Sequence, residues 1–230
     1  MKTTKLIALT AALLAPAVSH ADFMAFNLPG NTETGSWTDL NPTNYPTYPS
    51  SYPGSDTWPD PITASGIDAD LNITAGGSYF SSSDYIYNAS ASTYTISSGS
   101  PITDLSTLVL QFENAQGMDT ITLSYNGGSQ ELAASYIGNY AGSHTYNGGG
   151  QTGSSTIDVY QWDLSSIEST ITDYSITFTT NAHAILWGIS LTEGDTYSAI
   201  AVPEPSTYAA LAGLGVLTVV LLRRRKLSQK

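Results

Sequence analysis

The sequence predicts an all-β protein: a jelly-roll-like β-sandwich set between an N-terminal signal helix and a C-terminal transmembrane helix. Three observations predict it. Short segments in the middle of the chain alternate apolar and polar residues, the period of two that suits strands with one buried face. Clusters of Gly, Asn and Ser separate those segments, and long amphipathic helical patterns are absent. The 230-residue chain has no cysteine, so a core and not disulfides must hold it together.

The elements follow in order. Lys2 and Lys5 precede an apolar stretch over residues 6–18 that is too short to span a bilayer. Ser19-His20-Ala21 then offers small residues at the first and third positions of a signal cleavage site. Residues 1–21 are therefore expected to be a signal peptide cut between Ala21 and Asp22. Residues 22–201 form the body, with a first strand expected over residues 23–28. Residues 41–61 differ from the rest. Six prolines there alternate with Tyr45, Tyr48, Tyr52 and Trp58, which predicts a long loop that covers the sandwich, since proline cannot donate to a strand ladder.

Beyond that loop, "GIDADLNIT" sends Ile67, Ala69, Leu71 and Ile73 one way and Asp68, Asp70 and Asn72 the other. "YIYNAS" and "STYTIS" continue the series, and "TLVLQFEN" reads as a central strand. "DTITLSYNGG" ends in a turn at Asn126-Gly127-Gly128. Residues 139–155 read as a Gly-rich loop and residues 163–171 as a short helical turn capped by Asp163 or Ser165. "SSTIDVYQWDL", "DYSITFTTNA" and "AILWGISLT" complete roughly nine to eleven strands, spaced as in a jelly roll.

Charge is divided unevenly. All 7 Lys+Arg lie before residue 22 or after residue 202, while 18 of the 19 Asp+Glu lie within 22–201. No Lys or Arg salt bridge can form inside the body. Nucleic acid is excluded as a partner, because phosphate contacts need cations. The same lack excludes an arginine- or lysine-based site for anionic substrates. The charge favours solubility and opposes compactness.

Candidate chemistry is sparse. "DADLN" begins like a calcium loop, but the Gly and Glu that such a loop needs at positions six and twelve are Ile73 and Tyr79. No metal site and no cofactor are expected; weak calcium binding is the one interaction that the acidic loops leave open. His144 and His183 have no accompanying hydrolase or zinc motif and read as structural. Asp158 and Asp163 flank "VYQW" as a pair of carboxylates of the kind that cleaves glycosides, a weak signal among so many acids. No catalytic residue is assigned. Trp58, Trp162 and Trp187 are candidate glycan contacts, with core packing as the competing role.

The tail carries the specific signal. Val202-Pro203-Glu204-Pro205-Ser206-Thr207 breaks regular structure, and Ser206 suits a helix cap. The apolar run 208–222 would span roughly 22 Å as a helix, short of a bilayer core about 30 Å thick. Arg223, Arg224, Arg225 and Lys226 stop it. These charges favour the cytoplasmic side and place the body across the membrane, with a transmembrane helix over 207–222 and a basic tail over 223–230. At these residues the chain resembles the PEP-CTERM sorting signal of bacterial exported proteins: a Pro-Glu-Pro motif, an apolar helix and a basic end, in that order.

That resemblance implies an exosortase and the export machinery as partners. It also implies processing near the motif and transient anchoring with the C-terminus cytoplasmic. Delivery to the cell surface or an exopolysaccharide matrix follows, much as a GPI tail is removed after addressing its protein. The first reading is a non-enzymatic surface or matrix protein with a structural or adhesive role. A carbohydrate-binding module is the alternative, and a glycan-active enzyme comes third.

Overall fold

A computed structural model describes residues 23–148 and 151–201. The expected signal helix, the 207–222 helix and the basic tail lie outside the described residues. Among the described residues none is helical, and no helix is long and apolar enough to cross a membrane.

Thirteen strands form there: β1 (Thr32–Trp37), β2 (Ile62–Thr63), β3 (Asp70–Ala75), β4 (Ser78–Ser81), β5 (Tyr85–Asn88), β6 (Ser92–Ser98), β7 (Thr107–Ala115), β8 (Met118–Tyr125), β9 (Leu132–Ala133), β10 (Ser135–Gly148), β11 (Gln151–Asp163), β12 (Tyr174–Thr180) and β13 (Ile185–Gly194). They build two sheets. The first runs β10-β11-β7-β13-β5-β4, with β1 also paired to β13; the second runs β2-β3-β6-β12-β8-β9. The pairings are antiparallel, as for β11 with β7, β7 with β13 and β12 with β6.

Period-two patterning fixes what faces inward. Along β6, Tyr94 and Ile96 are buried and Thr93 and Thr95 are half-buried; β12 repeats this with Ile176 and Phe178 against Thr177 and Thr179. Ile67, Ala69, Leu71 and Ile73 all enter the core, as the alternation requires. Phe112 of the first sheet meets Phe178 of the second, ring centroids 4.7 Å apart, across the centre of the sandwich. β7 lies between β11 and β13, and all nine of its residues are buried, so it is the central strand that "TLVLQFEN" indicates.

The 41–61 loop covers one side of the sandwich. Tyr48 and Trp58 pack on Phe80 at 5.1 and 5.3 Å. The Phe80 N–H donates to the Pro49 carbonyl at 2.7 Å, and Ser55 bridges to Ser78. Asn126 and Gly127 turn with φ of 52° and 62°, closing the hairpin between β8 and β9.

Three expectations are corrected. Residues 23–28 form no strand; they lie over the outer face of the first sheet, where a side chain takes the place of a strand partner. Residues 139–148 and 151–155 are not loop but strand, parts of the paired β10 and β11. Their glycines admit close neighbours: a Cβ on Gly153 would stand 2.6 Å from the Tyr146 hydroxyl oxygen. Residues 163–171 contain a turn and no helix. The Ile167 N–H reaches the Leu164 carbonyl at 3.0 Å, and Asp163 Oδ1 accepts the Ser165 N–H at 3.0 Å.

Candidate functional site

The outward positions of β7 are Val109, Gln111, Glu113 and Ala115, opposite the inward Leu108, Leu110 and Phe112. A buried glutamine and a buried glutamate on a sheet's outer face need partners, since desolvated polar groups cost free energy unless bonded. Both have them, and they define two constellations.

The first ties down the ends of the body. Gln111 Oε1 accepts the Met24 N–H at 3.1 Å, and its Nε2 donates to the Met24 carbonyl at 3.0 Å. The Tyr140 hydroxyl joins them, accepting from Met24 N at 2.7 Å and donating to Gln111 Oε1 at 2.7 Å. On the adjacent strand, Gln161 repeats the device. Its Nε2 donates to the Ser198 carbonyl at 2.9 Å, and its Oε1 accepts the Ile200 N–H at 3.2 Å. Each amide pairs with the backbone as a neighbouring strand would. Beneath them Leu28, Val109 and Val159 form an apolar cluster that Phe26 and Ile200 also join. The first and last described segments therefore rest on the same patch of the first sheet.

The second constellation is centred on Glu113, whose side chain is 0% exposed. Its Oε1 accepts from Ser155 Oγ at 2.5 Å, Ser143 N at 2.7 Å, His144 Nδ1 at 2.8 Å and His144 N at 3.1 Å. Burial alone would raise its pKa. The His144 and Ser155 bonds, with the Ser143 N–H, outweigh burial and hold it below its ordinary value. The His144 ring stacks on Trp187, centroids 5.4 Å apart and planes 11° apart. Gly142 gives the strand room to pass, because a Cβ there would stand 2.6 Å from Glu113 Oε1. A relay for nucleophilic catalysis needs the serine at the far nitrogen of the histidine. Here both serines bind the carboxylate, so the group works as a fastener across the β10–β11 irregularity between Ala141 and Thr145.

A second buried carboxylate, Glu193, takes the Tyr174 hydroxyl at 2.6 Å and the Ile102 N–H at 2.7 Å. Burial raises its pKa, those two bonds lower it, and Glu33 and Asp68 raise it further, leaving it above its ordinary value. Among the described residues no group of three or more His, Asp or Glu side chains is placed to hold a metal ion.

The residues singled out in the sequence fall as follows. Trp58, Trp162 and Trp187 are 8%, 2% and 3% exposed. A sugar needs an open ring face, and burial at this level is what core packing, the competing role, requires. Trp162 Nε1 instead donates to the Leu132 carbonyl at 3.0 Å. Asp158 and Asp163 do not meet. Five residues apart on β11, they point to opposite faces, roughly 17 Å apart along the strand, with Asp158 bonded to Asn114 Nδ2 at 2.7 Å. His183 has a φ of 67°, and its Nδ1 lies 2.8 Å from the Tyr87 hydroxyl. Ala21, Asp22, Val202 to Thr207 and Arg223 to Lys226 lie outside the described residues. Gln111, Glu113, Ser155 and Gln161 were missed; polar residues inside an otherwise apolar strand were the available signal.

Comparison with known proteins bears on the tail. The PEP-CTERM protein-sorting motif matches residues 201–226. No curated protein and no solved structure matches the chain. The matched segment starts at Ala201, one residue after the Ile200 that Gln161 holds. A PEP-CTERM motif implies an exported cell-surface protein that an exosortase processes.

Proposed function

We propose that the protein is a displayed, non-enzymatic module with a structural or adhesive role at the cell surface or in an exopolysaccharide matrix. Its proposed divisions are a signal peptide over 1–21, a jelly-roll-like acidic body over 22–201 and a sorting segment over 202–230, anchored transiently through 207–222. The carrying observation is the sorting-motif match at residues 201–226, directly after a β-sandwich whose last described segment is fastened to its own sheet. The distribution of charge supports this reading: every Lys and Arg lies in the two ends, and removing both would leave a body of one sign that resists aggregation. The separation of Asp158 from Asp163 on opposite faces of β11 weighs against the glycosidase reading, and the burial of the three tryptophans favours core packing over sugar stacking.

Mass spectrometry of the protein recovered from the outer fraction of its own cells tests this. The expected chain starts near Asp22 and ends near Pro203 to Pro205. A surface-fraction chain that still carries residues 223–230 would overturn it.

A further inference from the structure

We propose that the β10 edge of the first sheet is a dimer interface, on which β10 of a second copy of this chain pairs antiparallel about a two-fold axis. Open strand edges invite pairing, so folded proteins shorten or cover them. Among the described residues the other edges are treated in that way. β2 and β9, which end the second sheet, are two residues each. β4 is covered by the 41–61 loop, through the Phe80 N–H on the Pro49 carbonyl and the bridge between Ser78 and Ser55. On β1, Ser36 exchanges backbone bonds with Ser65 at 3.0 Å each way. β10 is 14 residues long, ends its sheet, and has β11 as its one neighbouring strand among the described residues. Neither proline nor charge guards it: residues 132–157 contain no Pro, Asp, Glu, Lys or Arg.

The strand itself selects the occupant. Residues 138–148 read "GNYAGSHTYNG", a palindrome about Ser143 in which Gly, Asn and Tyr recur in reverse and Thr145 stands for Ala141. The register with β11 divides the strand at the same place: Gly138 to Ala141 is one paired run, Thr145 to Gly148 the other, and the irregularity lies between them. There β10 takes four steps while β11 takes two, from Thr156 to Ser154. The excess is even, so side chains keep their faces. Tyr140 and Tyr146 oppose Ile157 and Gly153 on the outer face; the exposed Asn139 and Asn147 oppose Asp158 and Thr152 on the other. A two-fold axis through Ser143 therefore sets Asn139 against Asn147 of the second copy and Tyr140 against its Tyr146, each on its own face and each twice. Aromatic pairs set directly opposite stabilise a sheet. The irregularity, which elsewhere would blunt an edge, falls on the axis. Its Ser143 and His144 N–H groups and the His144 ring are turned onto Glu113 of their own chain. An unrelated strand has no reason to match both runs, whereas a second copy matches them by symmetry. Charge permits the approach. The body carries 18 acids, yet Asp158 and Glu113, the two that adjoin this strand, are buried and bonded within the chain. With the other edges short or covered, the pairing closes at two copies and does not grow into a fibre.

Sedimentation equilibrium of the full chain in density-matched detergent tests this, and a monomer–dimer equilibrium is expected. Asn139→Asp/Asn147→Asp sets like charges opposite each other at both pairs and should weaken the dimer roughly tenfold or more. Ser82→Asp/Ser129→Asp adds the same charge at exposed positions away from β10 and should leave it unchanged. The chain has no cysteine, so the register can also be trapped. Asn139→Cys and Asn147→Cys chains, mixed and oxidised, should form disulfide-linked dimers. Neither should do so alone, because like positions of the two copies lie roughly 20 Å apart along the edge. This mixture decides the matter if the aspartate pair melts early. A parent that stays monomeric at every concentration overturns the proposal. So does a dimer that the aspartate pair leaves at full strength, which would place the contact elsewhere in the chain, or cross-linking of either cysteine variant alone as strong as that of the mixture. Association of the purified chain does not depend on where the cell sends it, so this result stands apart from the surface-fraction test.

Discussion

Gln161 holds Ile200: its Oε1 accepts the Ile200 N–H at 3.2 Å while its Nε2 donates to the Ser198 carbonyl at 2.9 Å. Only Ala201 and Val202 separate this clasp from Pro203, three residue steps and at most about 11 Å of chain. Gln161 Nε2 also donates to the Thr107 hydroxyl at 3.2 Å, so replacing Gln161 with Leu should leave the sandwich folded at a cost of about 2–4 kcal/mol for three lost hydrogen bonds. Local protection should fall much further, because segment opening is governed by local contacts. Hydrogen exchange at the Ile200 amide should accelerate at least tenfold, with exchange in β7 and β12 nearly unchanged. Equal protection at Ile200 in both proteins would show that the apolar cluster alone holds the segment.

The two buried glutamates should respond to acid with opposite sign. Glu113 is held below its ordinary value of 4.5. It therefore adds stability above the unfolded value and loses it as pH falls through the folded one. Glu113→Gln presents an NH₂ group to N–H donors and should cost about 1–3 kcal/mol at pH 7. Urea midpoints of the two proteins should converge as pH drops below 4.5. Glu193 stands above 4.5, so its contribution is present below the unfolded value and is lost as pH rises through the folded one. Glu193→Gln should lie within about 1 kcal/mol of the parent at pH 7, since it removes a costly buried charge. A large loss at pH 7 for Glu193→Gln, or none for Glu113→Gln, would reverse these roles.

Trp58 anchors the proline-rich loop from inside. It packs on Tyr48, Phe80 and Tyr94, while its Nε1 has no hydrogen-bond partner among the described residues. Trp58→Ala should cost about 3–5 kcal/mol by opening a cavity and should expose residues 41–61 to protease. Trp58→Phe loses volume but removes an orphaned donor, and should cost much less. Thermal melting and limited proteolysis measure both. Equal melting of the alanine variant and the parent would mean that the loop is held by its backbone bonds to Phe80 and Ser78 alone.

Local patterns were legible in the sequence, and distant pairings were not. Ile67, Ala69, Leu71 and Ile73 declare their face because alternation is written residue by residue, and "TLVLQFEN" declares a strand covered on both sides. The sorting motif is linear, so neighbouring residues suffice to read it. β1 escaped because "TETGSW" shows no apolar alternation; pairing with β13 and burial of Trp37 make it a strand. β10 escaped because its glycines mimic a loop, although Gly142 makes room for the Ser155 and Glu113 side chains that arrive from β11 and β7. The tryptophans misled because exposure is set by what folds over them, as Trp58 and Phe80 show across 22 positions. Glu113 meets His144 and Ser155 only once the hairpin has folded back on β7.

Two glycines with the same hand of backbone should separate conformational cost from collision. Gly127 has a φ of 62°, and a Cβ there would meet nothing within 4 Å. Gly54 has a φ of 83°, and its Cβ would press on the Ser78 carbonyl group in the bridge that fastens the 41–61 loop. Gly127→Ala should cost about 1 kcal/mol, the left-handed penalty for a residue with a side chain. Gly54→Ala carries that penalty and a backbone clash that no rotamer relieves, so it should cost at least twice as much, roughly 2–4 kcal/mol. Urea unfolding of the two variants compares them directly. The larger loss should come with faster proteolysis of residues 41–61, because displacing Ser78 breaks its pairing with Ser55. Equal losses would mean that β4 can shift at Ser78 without disturbing the sheet behind it.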